Sequence, residues 1–599
     1  MTREEIKHIY SELVQKHEAE LSALRKRQLL ISVSRLVVFV GGILVSAIAF
    51  TWFVAAGITG LLITIALFLV LIRAFIKCSE TMTLTENLIK ISRNEVLALE
   101  WDLSKFDNGS DLNPADHEFA GDIDLFGEGS LFCYLNRTVT GPGRRILAKT
   151  LLDPYSLKGE IADRQAAIKE LSAKLSWRQQ FAAIGLDKRL DEDEIKGLDD
   201  WLNGKEDFFA SEFIRIVSFF LPISAVSVLL FVIAGILPVN AFLAIFLLDL
   251  FLEGIFIKRI NRIHEAVSKK HSFLSSLGKL IRIVDSEPFS APLLARIREK
   301  ICSEKESVSD RISELDDIIK AFDTRLNMLV GAILNGLLLW DFHCVRRLEK
   351  WRQSVSSSLP EWLNQLGELD AFNSFSNFAF NNPDYVFPVA VADKPVLSAA
   401  AMGHPLLPEE TRVCNDFSVD SRGLVCIITG ANMAGKSTFL RTVAVNLLLA
   451  MAGAPVCATK MIFSPLRIFT SMRTTDSLTK NESYFYAELK RLRTLKEMIE
   501  KGEDCLFILD EILKGTNSTD KSLGSKVYLK HLVGLKATGL IATHDISLGE
   551  LEETFPGSVI NKCFEIEING EEISFDYLLR DGITRKMNAS LLMKQMGIV

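Results

Sequence analysis

The nine residues Gly430-Ala431-Asn432-Met433-Ala434-Gly435-Lys436-Ser437-Thr438 constrain this chain more than any others. They satisfy G-x-x-x-x-G-K-[ST] at every fixed position. The flanks agree: an apolar, β-branched run, Leu424-Val425-Cys426-Ile427-Ile428-Thr429, leads in, and a helix-like run over 439–449 leads out. A strand, a tight glycine turn and a helix in that order make a phosphate cradle. The glycines let consecutive N–H groups face phosphate oxygens, and the helix N-terminus adds positive potential there. All nine residues are expected to line the site. Lys436 is expected to reach the β- and γ-phosphates and the Ser437 hydroxyl to ligate Mg²⁺.

Two further strand ends complete the pattern. Cys505-Leu506-Phe507-Ile508-Leu509 is a short apolar run ending in Asp510-Glu511. It reads as a buried parallel strand that delivers two acids to the crevice where open α/β sheets bind ligands. Asp510 is expected to hold the Mg²⁺ shell, and Glu511 to polarise the attacking water. A third run, Leu540-Ile541-Ala542-Thr543, ends at His544-Asp545. His544 is placed either to sense the γ-phosphate or to help position the water.

The string T-G-A-N-M-A-G-K-S-T resembles the loop of the MutS family of DNA mismatch-repair ATPases, with the same Asn432-Met433 pair before the second glycine. The resemblance continues through Asp510-Glu511-Ile512, Gly515-Thr516 and Ala542-Thr543-His544. It includes Gly403-His404-Pro405 and Asn415-Asp416 upstream, and Tyr577-Leu578-Leu579-Arg580-Asp581-Gly582 with Ala589 downstream. Asp476-Ser477-Leu478, Ser483 and Glu488 resemble the family's signature segment, with Asn481-Glu482 departing from its usual Gly-Arg. That likeness implies ATP and Mg²⁺ as cofactors, a homodimer, and contact of Ser483 with the γ-phosphate bound by the opposite subunit. More weakly, Gly129-Ser130-Leu131, the run Arg137 to Thr140, Gly143-Arg144-Arg145-Ile146-Leu147 and Arg164-Gln165-Ala166 resemble the family's core domain. The stretch from Leu326 to Trp340, followed by Asp341, resembles part of its lever.

Hydropathy adds what the family pattern does not. The chain has 599 residues, 48% of them hydrophobic, and a mean hydropathy of +0.22. The excess sits in residues 29–72, interrupted at Ala56-Gly57, and in residues 216–257, interrupted at Leu237-Pro238-Val239-Asn240. Each block is long enough for two bilayer-spanning helices. Arg25, Lys26, Arg27, Arg73 and Lys77 flank the first; Arg215, Lys258, Arg259 and Arg262 flank the second. Neither connection carries Lys or Arg, so both termini and the ATPase are expected in the cytoplasm of an inner-membrane protein. Asp249 and Glu253 share a helix face in the last apolar segment and invite a transport or proton role.

The expected fold is therefore an α/β P-loop ATPase domain of ABC/MutS type at the C-terminus, after an all-α core and lever region with two transmembrane hairpins. The division is 1–28 amphipathic and cytoplasmic, 29–77 hairpin, 78–213 core-like, 214–258 hairpin, 259–395 lever-like and 396–599 ATPase. Nine cysteines without a C-x-x-C pair suit a reducing cytoplasm and argue against structural zinc. A net charge of −7 gives no electrostatic case for nucleic acid. The first hundred residues leave no room for a mismatch-reading domain, and Phe126-Gly127-Glu128 matches its F-x-E wedge by coincidence. DNA binding is expected to be weak and indifferent to mismatch. Three functions compete: an ATPase acting on DNA or a repair partner, the same engine moving a non-DNA protein partner at the lipid bilayer, and an ABC-type transporter.

Overall fold

Thr2 starts the first helix. Its hydroxyl accepts from the Glu5 N–H, and the Glu5 carboxylate accepts from the Thr2 N–H, a reciprocal cap. Helix α1 (Arg3–Trp52) then runs for 50 residues, about 75 Å. Phe53 alone is extended, and α2 (Val54–Leu99) returns alongside it. The middle of the pair exposes Leu36, Val37, Leu62 and Val70. Its lower parts are tied by Lys7–Glu100 at 2.7 Å, Arg25–Glu86 at 3.2 Å and Arg93–Glu18. The turn expected at Ala56-Gly57 lies instead at Phe53. Gly57 serves close packing: a Cβ there would stand 2.3 Å from the Phe50 ring. The amphipathic segment 1–28 is likewise continuous with the apolar helix, and α2 runs on past residue 77 into the body.

The computed structural model describes residues 1–584 apart from 188–191, 205–207, 210, 303–307, 393, 395, 474–483 and 570–571. Helix α3 (Ile161–Ser172) belongs to the helical body. Helix α4 (Glu212–Ile233) and helix α5 (Val239–Asp285) form the second hairpin, turning at Gly235–Pro238 where the sequence placed the interruption. By length and composition, α1, α2, α4 and α5 can each cross a bilayer. Asp249 is buried with neither oxygen hydrogen-bonded; Glu253 accepts from Asn335 Nδ2 at 3.1 Å.

Next come α6 (Val308–Asp323), α7 (Met328–Leu338), α8 (Trp340–Val355) and α9 (Leu359–Asn381). The lever-like stretch from Leu326 to Trp340 is not one helix. Leu339 adopts φ 44°, ψ 49°, and α7 and α8 meet at 81°. Asn335 holds the bend: its side-chain oxygen accepts from the Asp341 N–H at 2.9 Å. Helix α9 is the axis of the body. Its Asp370 Oδ2 accepts from Val139 N, Thr140 N and Thr140 Oγ1 at 3.0, 2.8 and 2.7 Å. Phe126 is buried against Phe132, ring centroids 5.2 Å apart, so the aromatic residue of the F-x-E string belongs to the core, while Glu128 is exposed.

The C-terminal part is mixed α/β. Its central sheet comprises β1 (Val425–Gly430), β2 (Arg467–Ser471), β3 (Cys505–Asp510), β4 (Thr538–Thr543), β5 (Val559–Phe564) and β6 (Leu579–Asp581). The order is β6-β5-β1-β4-β3-β2, parallel except for β6. Helix α10 (Lys436–Ala452) follows β1, and α11 (Ser518–Gly534) follows β3. A smaller four-stranded sheet holds residues 389–390, 397–402, 415–419 and 460–463.

The body clamps this unit at two places. Asp122 accepts from Thr470 Oγ1 and from the N–H groups of Met472 and Arg473, at 2.5, 3.2 and 2.8 Å. Arg491 donates to the carbonyls of Thr470, His117 and Glu118. On α3, buried Arg164 donates through Nε to Ala452 O at 2.9 Å, the last residue of α10. Burial lowers the Arg164 pKa to about 10.

Candidate functional site

The strand order fixes the site. β1 lies between β4 and β5, and β3 pairs with β4 on the other side. Thr429 is opposite Thr543, and Asp510 is opposite Ala542. The residues leaving β1, β3 and β4 therefore emerge together at the carboxyl edge of the sheet. There they border a cleft of about 550 Å³.

The loop 430–438 forms one wall. Gly430 ends β1, Ala431 and Ala434 are buried, and Asn432 and Met433 face the cleft. Met433 takes φ 64°, a conformation side chains seldom adopt. Gly435 takes φ 97° at the start of α10, and a Cβ there would press within 3.0 Å of the Tyr577 ring. Lys436 folds back over the loop. Its Nζ donates to Gly430 O at 2.9 Å and Ala431 O at 2.8 Å. Burial lowers its pKa to about 8, against the pull of Asp510 and Glu511. The Ser437 hydroxyl donates to Asp510 Oδ2 at 2.5 Å. Thr438 continues the first turn and lines the cleft.

Glu511 follows β3 with φ 52°, its N–H held by Ala542 O at 2.9 Å. One carboxylate oxygen lies 2.7 Å from His544 Nε2 and the other 3.3 Å from Lys521 Nζ. The hydrogen bond with His544 is the largest influence on this carboxyl and holds its pKa down to about 2. His544 also stands 3.4 Å from Lys436 Nζ, so it sits between the loop lysine and Glu511. The loop after Glu511 is braced by buried Glu488, which accepts from the N–H groups of Leu513 and Lys514 at 2.5 and 3.1 Å. Ser437 and Asp510 offer a hydroxyl and a carboxylate oxygen already in contact. A hard divalent cation such as Mg²⁺ takes that donor set. No group of three or more His, Cys, Asp or Glu side chains suited to a metal occurs among the described residues.

The family model for MutS domain V matches residues 426–594, and that for MutS domain III matches residues 112–207. Both matches are to domains of the MutS family. The chain is 36% identical over 219 residues to the DNA mismatch repair protein MutS of Chlorobium chlorochromatii (strain CaD3), covering 35% of this chain and 24% of that protein. Identity to the protein of the same name from Thermotoga sp. (strain RQ2) is 28% over 319 residues, 53% of this chain and 36% of that one. For Aquifex pyrophilus it is 29% over 337 residues, 54% and 37%. The matched part thus spans between a quarter and two fifths of these MutS proteins.

The MutS domain V match contains the loop, both acids and His544. The structure brings Lys436, Ser437, Asp510, Glu511 and His544 to one cleft. Ser483, and with it residues 476–482, lies outside the described residues, as does Ala589. Two neighbours escaped sequence reasoning. Lys521 reaches Glu511 from the second turn of α11, with no motif to announce it. Tyr577 reads as part of the last strand, yet it sits before β6 and forms a wall of the cleft. Asn415 fastens it there, donating to Tyr577 O at 3.0 Å and accepting from Leu579 N at 2.7 Å.

Proposed function

We propose that this chain is a Mg²⁺-dependent ATPase of the MutS family, anchored in the cytoplasmic membrane by two helical hairpins, that works as a homodimer on DNA or on a DNA-repair partner. One observation carries the catalytic part: β1, β3 and β4 end side by side and place Lys436, the Ser437–Asp510 pair and the Glu511–His544 pair around a single cleft. Loop N–H groups and Lys436 bind the phosphates. Ser437 and Asp510 would hold Mg²⁺, which would neutralise phosphate charge there. Glu511 stays a carboxylate and orients water. His544 and Lys521 fix its direction, and His544 stands beside the loop lysine, 3.4 Å from Lys436 Nζ.

The anchor rests on four apolar helices with basic outer flanks and uncharged turns. The dimer, with Ser483 acting across it, rests on the family resemblance.

Lys436→Ala tests the nucleotide site. Removing the ammonium deletes charge-assisted hydrogen bonds worth about 1.5–3 kcal/mol, so ATP affinity should fall roughly 10- to 100-fold. In the wild type, affinity should also weaken as pH rises through about 8, where Lys436 loses its proton. Titration calorimetry with Mg·ATP measures both; equal affinity in wild type and variant would reject the site.

DNA is tested separately. Its support is the name borne by the relatives and the domain III match. Phe126 is buried against Phe132 and supplies no wedge side chain. Binding should therefore be salt-dependent and carried by phosphate contacts. Affinity for a G·T duplex should match that for homoduplex; a preference of about tenfold, roughly 1.4 kcal/mol, would mean a reader is present. No binding even at low salt would move the function to a non-DNA partner.

A further inference from the structure

Helix α7 is almost wholly apolar, Met-Leu-Val-Gly-Ala-Ile-Leu-Asn-Gly-Leu-Leu, yet one side of it is bare. Met328 is 88% exposed, Leu329 78% and Ile333 54%. Leu326 just before it is 73% exposed. A contiguous apolar face of this kind marks an interaction surface. Its other side is not at a free edge. It lies against the second hairpin, α4 and α5. A Cβ on Gly336 would stand 2.3 Å from the Phe246 ring, so that ring rests on bare α7 backbone. One residue earlier, Asn335 donates to Glu253. From Phe246 to Glu253 is seven residues, about 10 Å along α5. That stretch precedes the basic residues Lys258 and Arg259 and lies within the apolar block.

The chain then returns to the level at which it left. Arg325, before α7, and Asp341, after the bend, are paired at 2.9 Å and nearly fully buried, 10% and 0% exposed. Trp340 Nε1 donates to Ala321 O at 2.8 Å, a second tie between the outgoing and incoming limbs. Backbone N–H groups at both ends of the helix are capped internally, and the buried Asp341 oxygens, which make no hydrogen bond, are offset by the Arg325 charge. Asn327 caps the N–H groups of Leu329 and Val330, both at 3.2 Å, and Asn335 takes the Asp341 N–H. Non-helical backbone at membrane depth is tolerated only under that condition. The charges lie at the base, in Arg325, Asp341 and Glu253, and the exposed face carries none.

We propose that α7 is a re-entrant membrane helix whose exposed face takes lipid acyl chains. The occupant follows from continuity: the same hairpin exposes Phe219, Leu243, Leu247 and Phe251, so α7 extends one apolar surface rather than starting another. The inference rests on the membrane reading of α4 and α5. It adds that the bilayer holds α7, from which the chain runs through α8 to α9 and Asp370.

Spin labels on single cysteines in the full chain, reconstituted in phosphatidylcholine/phosphatidylglycerol vesicles, test this. The sites are Leu329→Cys and Ile333→Cys on α7, Phe251→Cys on the hairpin and Lys320→Cys on α6. All four native residues are exposed, so the label displaces no core. The unsubstituted protein gives the background from native cysteines, which are buried or half-buried. Labels at 329 and 333 should collide with oxygen and avoid a water-soluble nickel chelate, as at 251; at 320 the order reverses. If 251 reports lipid while 329 and 333 report water, the inference is wrong and the anchor stands. If 251 also reports water, the anchor fails with it. Protection of 329 and 333 from both reagents would mean a protein covers the face, and would overturn the proposal.

Discussion

Glu511→Gln should keep ATP affinity near that of the wild type and lower hydrolysis about 10²–10³-fold, the usual effect of removing one preorganised polar group from a reacting centre. The amide keeps the size of the carboxylate and leaves Ser437–Asp510 and Lys436 untouched, so binding survives. It loses the charge that His544 and Lys521 now hold in place at 2.7 and 3.3 Å. A carboxyl held down to about 2 is ionised throughout the physiological range. The rate should therefore not rise between pH 5 and 7 on account of Glu511 titrating. Single-turnover hydrolysis at saturating Mg·ATP measures the effect. Full turnover by the variant would remove Glu511 from the reaction.

The second large effect is on stability. Asp370→Ala should cost about 2–4 kcal/mol, since it strands the buried N–H groups of Val139 and Thr140 and the Thr140 hydroxyl. It also opens space beside Gly143, where a Cβ would lie 2.4 Å from Asp370 Oδ2. Burial raises the Asp370 pKa from 3.8 to about 7. Because the folded value is above the unfolded one, the native state keeps a proton that the unfolded chain has released. Its contribution is full below pH 3.8 and declines until about 7. Asp370→Asn keeps the accepting oxygen and replaces the protonated one by an amide. It should cost less than Ala and flatten the fall in stability between pH 4 and 7. Urea midpoints in detergent, followed by protection of the helical body from protease, test both. A midpoint for Asp370→Ala equal to wild type would show that the three donors find other partners.

The cleft was the most legible part of this sequence because its residues sit where strands end. Gly430, Asp510 and Thr543 each close a short apolar run, and parallel pairing brings such ends to one edge whatever else the chain does. The two apolar blocks were legible for a similar reason: their hydropathy admits few environments. What escaped was set by distant contacts. Ala56-Gly57 has turn composition, but Phe50 needs the space over Gly57, and the chain reverses at Phe53. Leu339 carries no breaker signal. Its left-handed backbone follows from Asn335 and the Arg325–Asp341 pair, whose partners lie far enough apart that no local pattern joins them. Lys521 meets Glu511 only because a loop with two left-handed residues, Glu511 and Leu513, turns α11 back over the strand end.

The clamp between the helical body and the sheet has a consequence for sequence drift. Arg164 grips the carbonyl of Ala452, Asp122 grips the N–H groups of Met472 and Arg473, and Arg491 grips three carbonyls. In these bonds one side chain recognises the course of the main chain; only Asp122 also meets partner side chains, the Thr470 hydroxyl and the Arg491 guanidinium. Positions 452, 472, 117 and 118 can change type without breaking these bonds. Outside the ion pairs of Asp122 with Arg491, Asp124 with Arg473 and Glu118 with Arg467, such a joint leaves little paired substitution between its two sides, so correlated change between positions reports only part of how firmly the halves are coupled. The constraint is concentrated in three side chains, Asp122 and Arg164 of the body and Arg491 of the α/β unit.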